Sequence, residues 1–144
     1  MNITFIGMSG AGKSYTGKRY AREHEMDFID IDKEMEQEYG KPLQDILDEL
    51  GDKVFLQKQE EQVLALEGLD NTVISPGGSV VYTERAMEFL KANSKIIYLD
   101  VPLTVIKSRI NTTSRGIVGI QDKTFNELYK ERIKLYKKWA DETG

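Results

Sequence analysis

The 144-residue sequence contains no cysteine and only one histidine. The absence of cysteine excludes a disulfide framework, a zinc site built on thiolates, an iron–sulfur cluster and a cysteine nucleophile. The sequence also lacks an apolar run of membrane-spanning length, and the apolar stretch at residues 3–6 is too short for a secretory signal peptide. We therefore expect a cytoplasmic protein that has no membrane partner.

The sequence has no excess of basic residues either. It contains 20 Lys and Arg residues and 24 Asp and Glu residues, which give a net charge of −4 at pH 7. This slight acidity argues against a broad nucleic-acid-binding surface. A hydrophobic share of 40% and a charged share of 31% are typical of a globular protein. A chain of this length buries roughly 68% of its unfolded surface as one domain. We expect a single domain over residues 1–144 that is a monomer or a weak dimer.

Short runs of β-branched and aromatic residues alternate with longer stretches of helical periodicity. This alternation is typical of an α/β fold in which helices cover a parallel sheet. The predicted strands are residues 3–6, 28–30, 72–75 and 96–99. The predicted helices are residues 13–25, 32–39, 42–50, 52–67 and 83–92, one that follows Pro102 to about residue 110, and one from residue 124.

The first predicted strand runs directly into a glycine-rich segment, Gly7-Met8-Ser9-Gly10-Ala11-Gly12-Lys13-Ser14, which matches the phosphate-loop pattern G-x-x-x-x-G-K-[ST]. Its glycines let backbone N–H groups point at phosphates, Lys13 reaches the β and γ oxygens, and the Ser14 hydroxyl can bind Mg²⁺. The alternative is a glycine-rich turn without a ligand. The strand–loop–helix context favours nucleoside triphosphate binding.

The second predicted strand ends in Asp30-Ile31-Asp32, which contains two carboxylates. The period of two of an extended chain predicts that they lie on the same side, at the strand ends where parallel sheets bind ligands. One can then help to hold Mg²⁺, and the other can accept a hydrogen bond from the hydroxyl that is phosphorylated. Asp32 as a helix N-cap is the alternative.

Three further features have both a functional and a purely structural interpretation. The adjacent glycines Gly77 and Gly78 follow the third predicted strand and form either a simple turn or a wall against a small ligand. Arg132 lies on the apolar stripe of the last predicted helix, where it forms either a buried ion pair or an anion-binding site. Arg115 lies in a polar loop, either exposed or over the phosphates.

In their order along nearly the whole chain, these motifs resemble those of the shikimate kinase family. The resemblance also includes Gly51, Phe55, the segment Ile97-Tyr98-Leu99 and the spacing of Arg132 and Tyr136. It implies a three-layer P-loop kinase fold with a central parallel sheet of order 2-3-1-4-5 and helices on both faces. It also implies a lid at about 111–122, an acceptor-binding region at about 32–66, and Mg²⁺-dependent transfer of phosphate from ATP to a hydroxyl of a small, carboxylate-bearing metabolite.

The resemblance also assigns a role to individual residues. Lys13, Asp32 and Arg115 would be catalytic, and Ser14 and Asp30 would hold the metal. The acceptor would contact Asp32, Gly77, Gly78, Ser79 and Arg132. ATP would contact Gly10, Ala11, Gly12, Lys13, Ser14, Tyr15, Arg109 and Arg115.

The acceptor site of the sequence departs from the family pattern. Leu56 and Gln59 replace the family's Arg and Glu in the motif Phe-Arg-x-x-Glu, and Ser79 replaces its third glycine. Both members of a charged pair are replaced together, which favours a redesigned acceptor pocket over a single loss. We therefore expect poor shikimate turnover. The alternatives are a kinase for another hydroxy or sugar acid and an inactive nucleotide-binding module that acts through a partner.

The family's sheet has five strands, whereas the sequence predicts four. We therefore expect the last strand at the sheet edge to be incomplete or missing, and with it part of the adenine site.

Overall fold

The structure is a computed structural model that describes residues 1–8, 10–109, 118–119 and 123–144. Arg115 and most of the lid predicted at about 111–122 lie outside the described residues.

Five parallel strands form one sheet: β1 Ile3–Ile6, β2 Asp27–Asp30, β3 Thr72–Ser75, β4 Lys95–Tyr98 and β5 Glu142–Thr143. Their order in the sheet is β2-β3-β1-β4-β5, which confirms the order 2-3-1-4-5 implied by the resemblance. The central strand β1 pairs with β3 on one side and β4 on the other. Its residues, together with those of β3, are buried because helices cover both faces of the sheet.

The prediction of a missing fifth strand is wrong. β5 pairs in parallel with β4, with Glu142 opposite Ile97 and Thr143 opposite Tyr98. The strand contains two exposed residues, which is too few to produce a periodic pattern in the sequence. The backbone N–H groups of Asp141 and Gly144 donate to carbonyl oxygens of β4, and the Asp141 carboxylate accepts a further hydrogen bond from the Ile96 backbone N–H.

Six helices and a short 3₁₀ turn connect the strands within the described residues. The span α3 (Leu43–Leu64) consists of two helical segments on either side of Gly51, whose backbone is not helical (φ 79°, ψ 164°), which confirms the break predicted between residues 42–50 and 52–67. The last helix begins with a capping box in which Thr124 and Glu127 bond each other's backbone N–H groups. The helices are α1 Lys13–Glu23, α2 Ile31–Tyr39, α3 Leu43–Leu64, α4 Glu84–Asn93, α5 Leu103–Arg109 and α6 Phe125–Trp139, and the 3₁₀ turn is Gly78–Tyr82.

The main core lies between the sheet and helices α4 and α6, where Leu90, Ile96 and Tyr136 are fully buried. A separate small cluster joins α2 and α3 and consists of Met35, Ile46, Leu47, Phe55 and Val118. Val118 thus packs onto the region in which the acceptor is expected to bind. None of the helices in the described part of the chain is both long and apolar enough to cross a membrane.

Candidate active site

The phosphate loop connects β1 to α1, as its sequence predicts. Gly12 lies directly before α1 in the left-handed conformation (φ 86°), which favours glycine and allows the loop to turn sharply into the helix. The Lys13 ammonium group donates to the carbonyl oxygens of Gly7, at 2.7 Å, and Met8, at 2.9 Å. Its charge is therefore held across the loop at the positive end of α1, where phosphate groups bind.

The two residues assigned to the metal are in direct contact. The Ser14 hydroxyl donates to Oδ2 of Asp30 at 2.5 Å. The other oxygen, Oδ1, accepts a hydrogen bond from the Lys33 backbone N–H at 3.2 Å, so Asp30 is the N-cap of α2. A hydroxyl and a carboxylate are the hard oxygen ligands that suit Mg²⁺. The donor set therefore fits this metal.

Asp32 lies in the first turn of α2. The prediction that Asp30 and Asp32 lie on one side of an extended chain is wrong, because the helix begins at Ile31. The alternative of Asp32 as the N-cap is also wrong, because Asp30 occupies that position. Both carboxylates nevertheless line the same cavity.

Burial raises the pKa of Asp32 to about 6, and the positive charge of Lys13 opposes this rise. The buried Oδ1 atom of Asp32 has no hydrogen-bond partner within the described residues. This carboxyl group is therefore poorly solvated and has one oxygen turned into the protein.

A cavity of about 380 Å³ extends from the phosphate loop to α2 and the end of β3. This volume lies within the range usual for small-molecule sites, toward its lower end. Arg109 reaches the cavity from α5, and its guanidinium donates to the Gly10 carbonyl oxygen at 3.2 Å. The predicted site residues that line the cavity are Gly10, Gly12, Lys13, Ser14, Tyr15, Asp30, Asp32 and Arg109.

The cavity wall also contains residues that the motifs did not indicate: Lys33, Glu36, Leu43, Ser75 and Pro76. Glu36 accepts a hydrogen bond from the Leu43 backbone N–H at 2.9 Å and so ties α2 to the start of α3. The helical spacing from Asp32 to Glu36 places both side chains on one face of α2. That spacing was the signal in the sequence that would have identified Glu36.

The turn at Gly77 and Gly78 lies behind the cavity, against Asp32. A Cβ atom on Gly77 would lie 2.6 Å from Oδ1 of Asp32, too close for any real contact. The Tyr136 hydroxyl donates to the Gly78 carbonyl oxygen at 2.6 Å and holds the turn from α6. Gly77, Gly78, Ser79 and Ala11 are buried around the site but do not line the described cavity.

Arg132 is almost fully buried, with 1% of its surface exposed. Its guanidinium donates to the Val118 carbonyl oxygen at 2.7 Å and to the Tyr82 hydroxyl at 3.4 Å, and it lies 5.2 Å from the centre of the Tyr82 ring. The ion pair considered from the sequence is not found, since the ion pairs formed among the described residues do not include Arg132. A carbonyl dipole and an aromatic face surround the charge instead.

Gln59, which replaces the family's glutamate, is fully buried and contacts the turn. Its Oε1 atom accepts a hydrogen bond from the Ser79 hydroxyl at 3.0 Å. Two residues that depart from the family pattern are therefore partners in the fold. The sequence alone did not indicate this pairing, because the residues lie far apart along the chain and neither forms a motif with the other.

Comparison with known proteins agrees with this geometry. The family model described as shikimate kinase matches residues 9–143. The chain belongs to the shikimate kinase family. It is thus an ATP-dependent kinase that transfers phosphate to a hydroxyl of a small metabolite, and the fold and activity class expected from the resemblance are confirmed.

Individual relatives support the same assignment. The chain is 34% identical to the shikimate kinase of Persephonella marina over 136 residues, covering 94% of this chain and 83% of that protein. It is 33% identical to a bifunctional shikimate kinase/3-dehydroquinate synthase of Thermotoga maritima, of which it spans 27%. A shikimate kinase from Acinetobacter baumannii, solved in complex with shikimate, superposes with a TM-score of 0.88 at 26% identity, covering 99% of this chain and 82% of that chain.

Proposed function

We propose that the cavity binds ATP with Mg²⁺ at the phosphate loop and a small hydroxylated acceptor beside Asp32. The observation that carries this proposal is that one cavity of about 380 Å³ is lined by Lys13, Ser14, Asp30 and Asp32. A lysine ammonium group, two oxygen groups suited to Mg²⁺ and a carboxylate with one buried oxygen thus lie around one space. Phosphoryl transfer depends mainly on such positioning and charge neutralisation.

Ser14 and Asp30 would hold the metal, because they contact each other at the cavity wall and supply oxygen ligands. When bound, Mg²⁺ neutralises negative charge on the ATP phosphates. Lys13 would bind phosphate oxygens from the loop, and Arg109 and Tyr15 would line the nucleotide. From the family resemblance, we assign Arg115 to the transferring phosphate group as well.

Asp32 would orient the acceptor hydroxyl and take up its proton. The role suits a carboxylate that lines the cavity while its Oδ1 atom is buried. Because the transition state of phosphoryl transfer is loose, orientation of the hydroxyl contributes more than strong basicity. The pKa of about 6 still leaves Asp32 ionised at neutral pH.

For the acceptor, we propose a small hydroxy acid whose carboxylate binds Arg132, with Gly77, Gly78 and Ser79 at its back. The related Acinetobacter baumannii kinase was solved with shikimate, which is such a compound. Leu56 and Gln59 offer no positive charge where the family has an arginine, and a contact of that kind contributes about 10- to 150-fold in affinity. We therefore propose that shikimate is a poor acceptor and that another hydroxy or sugar acid is preferred.

The test is ADP release with ATP, Mg²⁺ and a panel of acceptors that includes shikimate, other hydroxy acids and sugar acids. We expect transfer to at least one acceptor, a large but still measurable decrease of kcat in Asp32→Asn, and a shikimate kcat/KM below about 10⁴ M⁻¹s⁻¹, which is the low end for ordinary enzymes. A higher shikimate value would contradict the acceptor proposal. If ATP binds but no acceptor of the panel is phosphorylated, the proposal of a small hydroxy or sugar acid as acceptor fails, and the alternative of an inactive nucleotide-binding module is favoured.

A further inference from the structure

In the part of the chain that the structure describes, two buried polar atoms beside the active site lack a hydrogen-bond partner: Oδ1 of Asp32 and Nε2 of Gln59. Both lie against the same point of the backbone. A Cβ atom built on Gly77 would be 2.3 Å from Nε2 of Gln59 and 2.6 Å from Oδ1 of Asp32. These short distances to one point place the two atoms close to each other. An unpaired donor therefore faces an unpaired acceptor inside the protein.

The orientation of the Gln59 amide is fixed from the other side. Its Oε1 atom accepts the hydrogen bond from the Ser79 hydroxyl, and the whole side chain is buried. Rotation of the amide by half a turn would place its oxygen against the Asp32 carboxylate, which is also an acceptor. The arrangement with Nε2 toward Asp32 is thus the one in which both ends of the amide have a complementary neighbour.

A buried donor and a buried carboxylate that remain unpaired both destabilise the protein, and a single hydrogen bond between them removes both penalties. The space for this bond exists because residue 77 has no side chain. The terminal torsion of an aspartate is broad, so rotation of the Asp32 carboxyl group can bring Oδ1 toward Nε2 while the Gln59 amide keeps its bond to Ser79.

We propose that Gln59 is a positioning residue for Asp32, whose amide N–H group donates a hydrogen bond to Oδ1. The bond fixes the plane of the carboxylate, and the remaining oxygen is then directed toward the acceptor hydroxyl in the cavity. This inference rests on the role proposed for Asp32 in phosphate transfer. It adds that the acceptor side of the site is aligned by a chain of three side chains, from Ser79 through Gln59 to Asp32.

The first test uses steady-state kinetics with ATP, Mg²⁺ and shikimate as the probe. Gln59→Met has nearly the same size but cannot donate, and we expect it to lower kcat about 10- to 100-fold. The KM for ATP should change less than about twofold, because the phosphate loop is untouched. The matched control is Gln62→Met on the same helix, where the amide bonds Glu38 at the surface, and it should leave kcat unchanged.

A double-mutant cycle with Asp32→Asn separates positioning from a general loss of structure. If Gln59 acts through Asp32, adding Gln59→Met to the Asp32→Asn variant should lower kcat by less than about twofold. Equal losses of kcat in both backgrounds would overturn the proposal, as would a Gln59→Met enzyme with normal kcat. If Asp32→Asn itself retains full kcat, the proposed role of Asp32 fails, and that outcome is distinct from a failure of Gln59 alone.

Gly77→Ala provides a second route if Gln59→Met does not fold. The backbone of Gly77 (φ −62°, ψ 159°) suits alanine, and the nearest atoms that the added Cβ would meet belong to the side chains of Gln59 and Asp32 and not to the backbone. The variant should fold, keep its KM for ATP and lose kcat, because the methyl group separates Gln59 from Asp32. Retention of full kcat by this variant would contradict the proposed hydrogen bond.

Discussion

The hydroxyl of Ser14, at the start of α1, and Oδ2 of Asp30, at the end of β2, are joined by a 2.5 Å hydrogen bond. This contact connects the phosphate loop to the neighbouring strand end, where Asp30 also caps α2. One carboxylate therefore orders the helix that carries Asp32 and supplies an oxygen where the metal is proposed to bind. These two roles can be separated experimentally, because capping requires a side-chain oxygen whereas metal binding favours the negative charge.

Asp30→Asn tests the metal role. Asparagine caps helices about as well as aspartate, so thermal stability should change little. Loss of the charge should raise the Mg²⁺ concentration required for half-maximal activity by about tenfold, the effect of about 1.4 kcal/mol of lost binding free energy. The measurement is ADP release as a function of Mg²⁺ at constant ATP. Asp27→Asn, an exposed change on the same strand, should have the Mg²⁺ dependence of the unmodified protein.

Tyr136→Phe tests how the Gly77-Gly78 turn is held. The Tyr136 hydroxyl is buried and donates to the Gly78 carbonyl oxygen at 2.6 Å. Its removal takes this donor from a buried carbonyl and should cost about 1–2 kcal/mol of unfolding free energy. A thermal melt should show a decrease of several degrees, whereas Tyr129→Phe, on the same helix but half-buried, should change the melting temperature far less. Equal melting temperatures for the two variants would contradict a structural role of this bond.

The sequence predicted the parts of the site that depend on local backbone geometry. The phosphate loop is contiguous, and its glycines and the start of α1 produce the geometry around Lys13 and Ser14 with little help from the rest of the fold. Likewise, the four buried or half-buried strands have apolar patterns that are visible in the sequence. The two-residue strand β5 has no such pattern, and its place at the sheet edge depends on the tertiary contact of Asp141 with Ile96.

Side-chain partnerships between distant segments were not predictable. Leu56, Gln59 and Ser79 were each visible as departures from a family pattern, but the bond between Gln59 and Ser79 depends on how α3 packs on the 3₁₀ turn. The burial of Arg132 was expected from its apolar helix stripe, whereas its Val118 and Tyr82 partners follow from tertiary packing. A sequence pattern indicates which face of a helix or strand is buried, whereas the three-dimensional structure determines which side chains contact each other at that face.

We expect the Asp141 carboxylate to stabilise the folded protein at neutral pH and to lose this effect in acid. The Ile96 backbone N–H group and the Lys91 ammonium group both bond its carboxylate and lower its pKa in the folded protein. A group with a lowered folded pKa stabilises the protein above its unfolded pKa, about 3.9, and loses this effect as the pH falls through the folded value. Asp141→Asn should therefore melt at a lower temperature than the unmodified protein at pH 7, and the difference should shrink below about pH 4.

The control for this pH series is Glu88→Gln, an exposed change on α4. It should have a melting temperature close to that of the unmodified protein at each pH. A difference in melting temperature between Asp141→Asn and the unmodified protein that stays constant from pH 7 to pH 3 would show that the charge of Asp141 does not stabilise the protein.

Arg132 provides a test of the carboxylate on the proposed acceptor. Its guanidinium donates to the Val118 carbonyl oxygen and to the Tyr82 hydroxyl, which uses two of its five N–H groups. Shikimate and its uncharged methyl ester form a matched pair of probes that differ in this charge alone. If Arg132 binds the carboxylate, the unmodified enzyme should prefer shikimate over the ester in kcat/KM by about 10-fold or more. Arg132→Met should abolish most of this preference.

Arg132→Met should also lower the melting temperature, because it removes the hydrogen bonds to Val118 and Tyr82. A variant that loses stability but keeps the preference for shikimate would show that Arg132 only supports the fold around Val118.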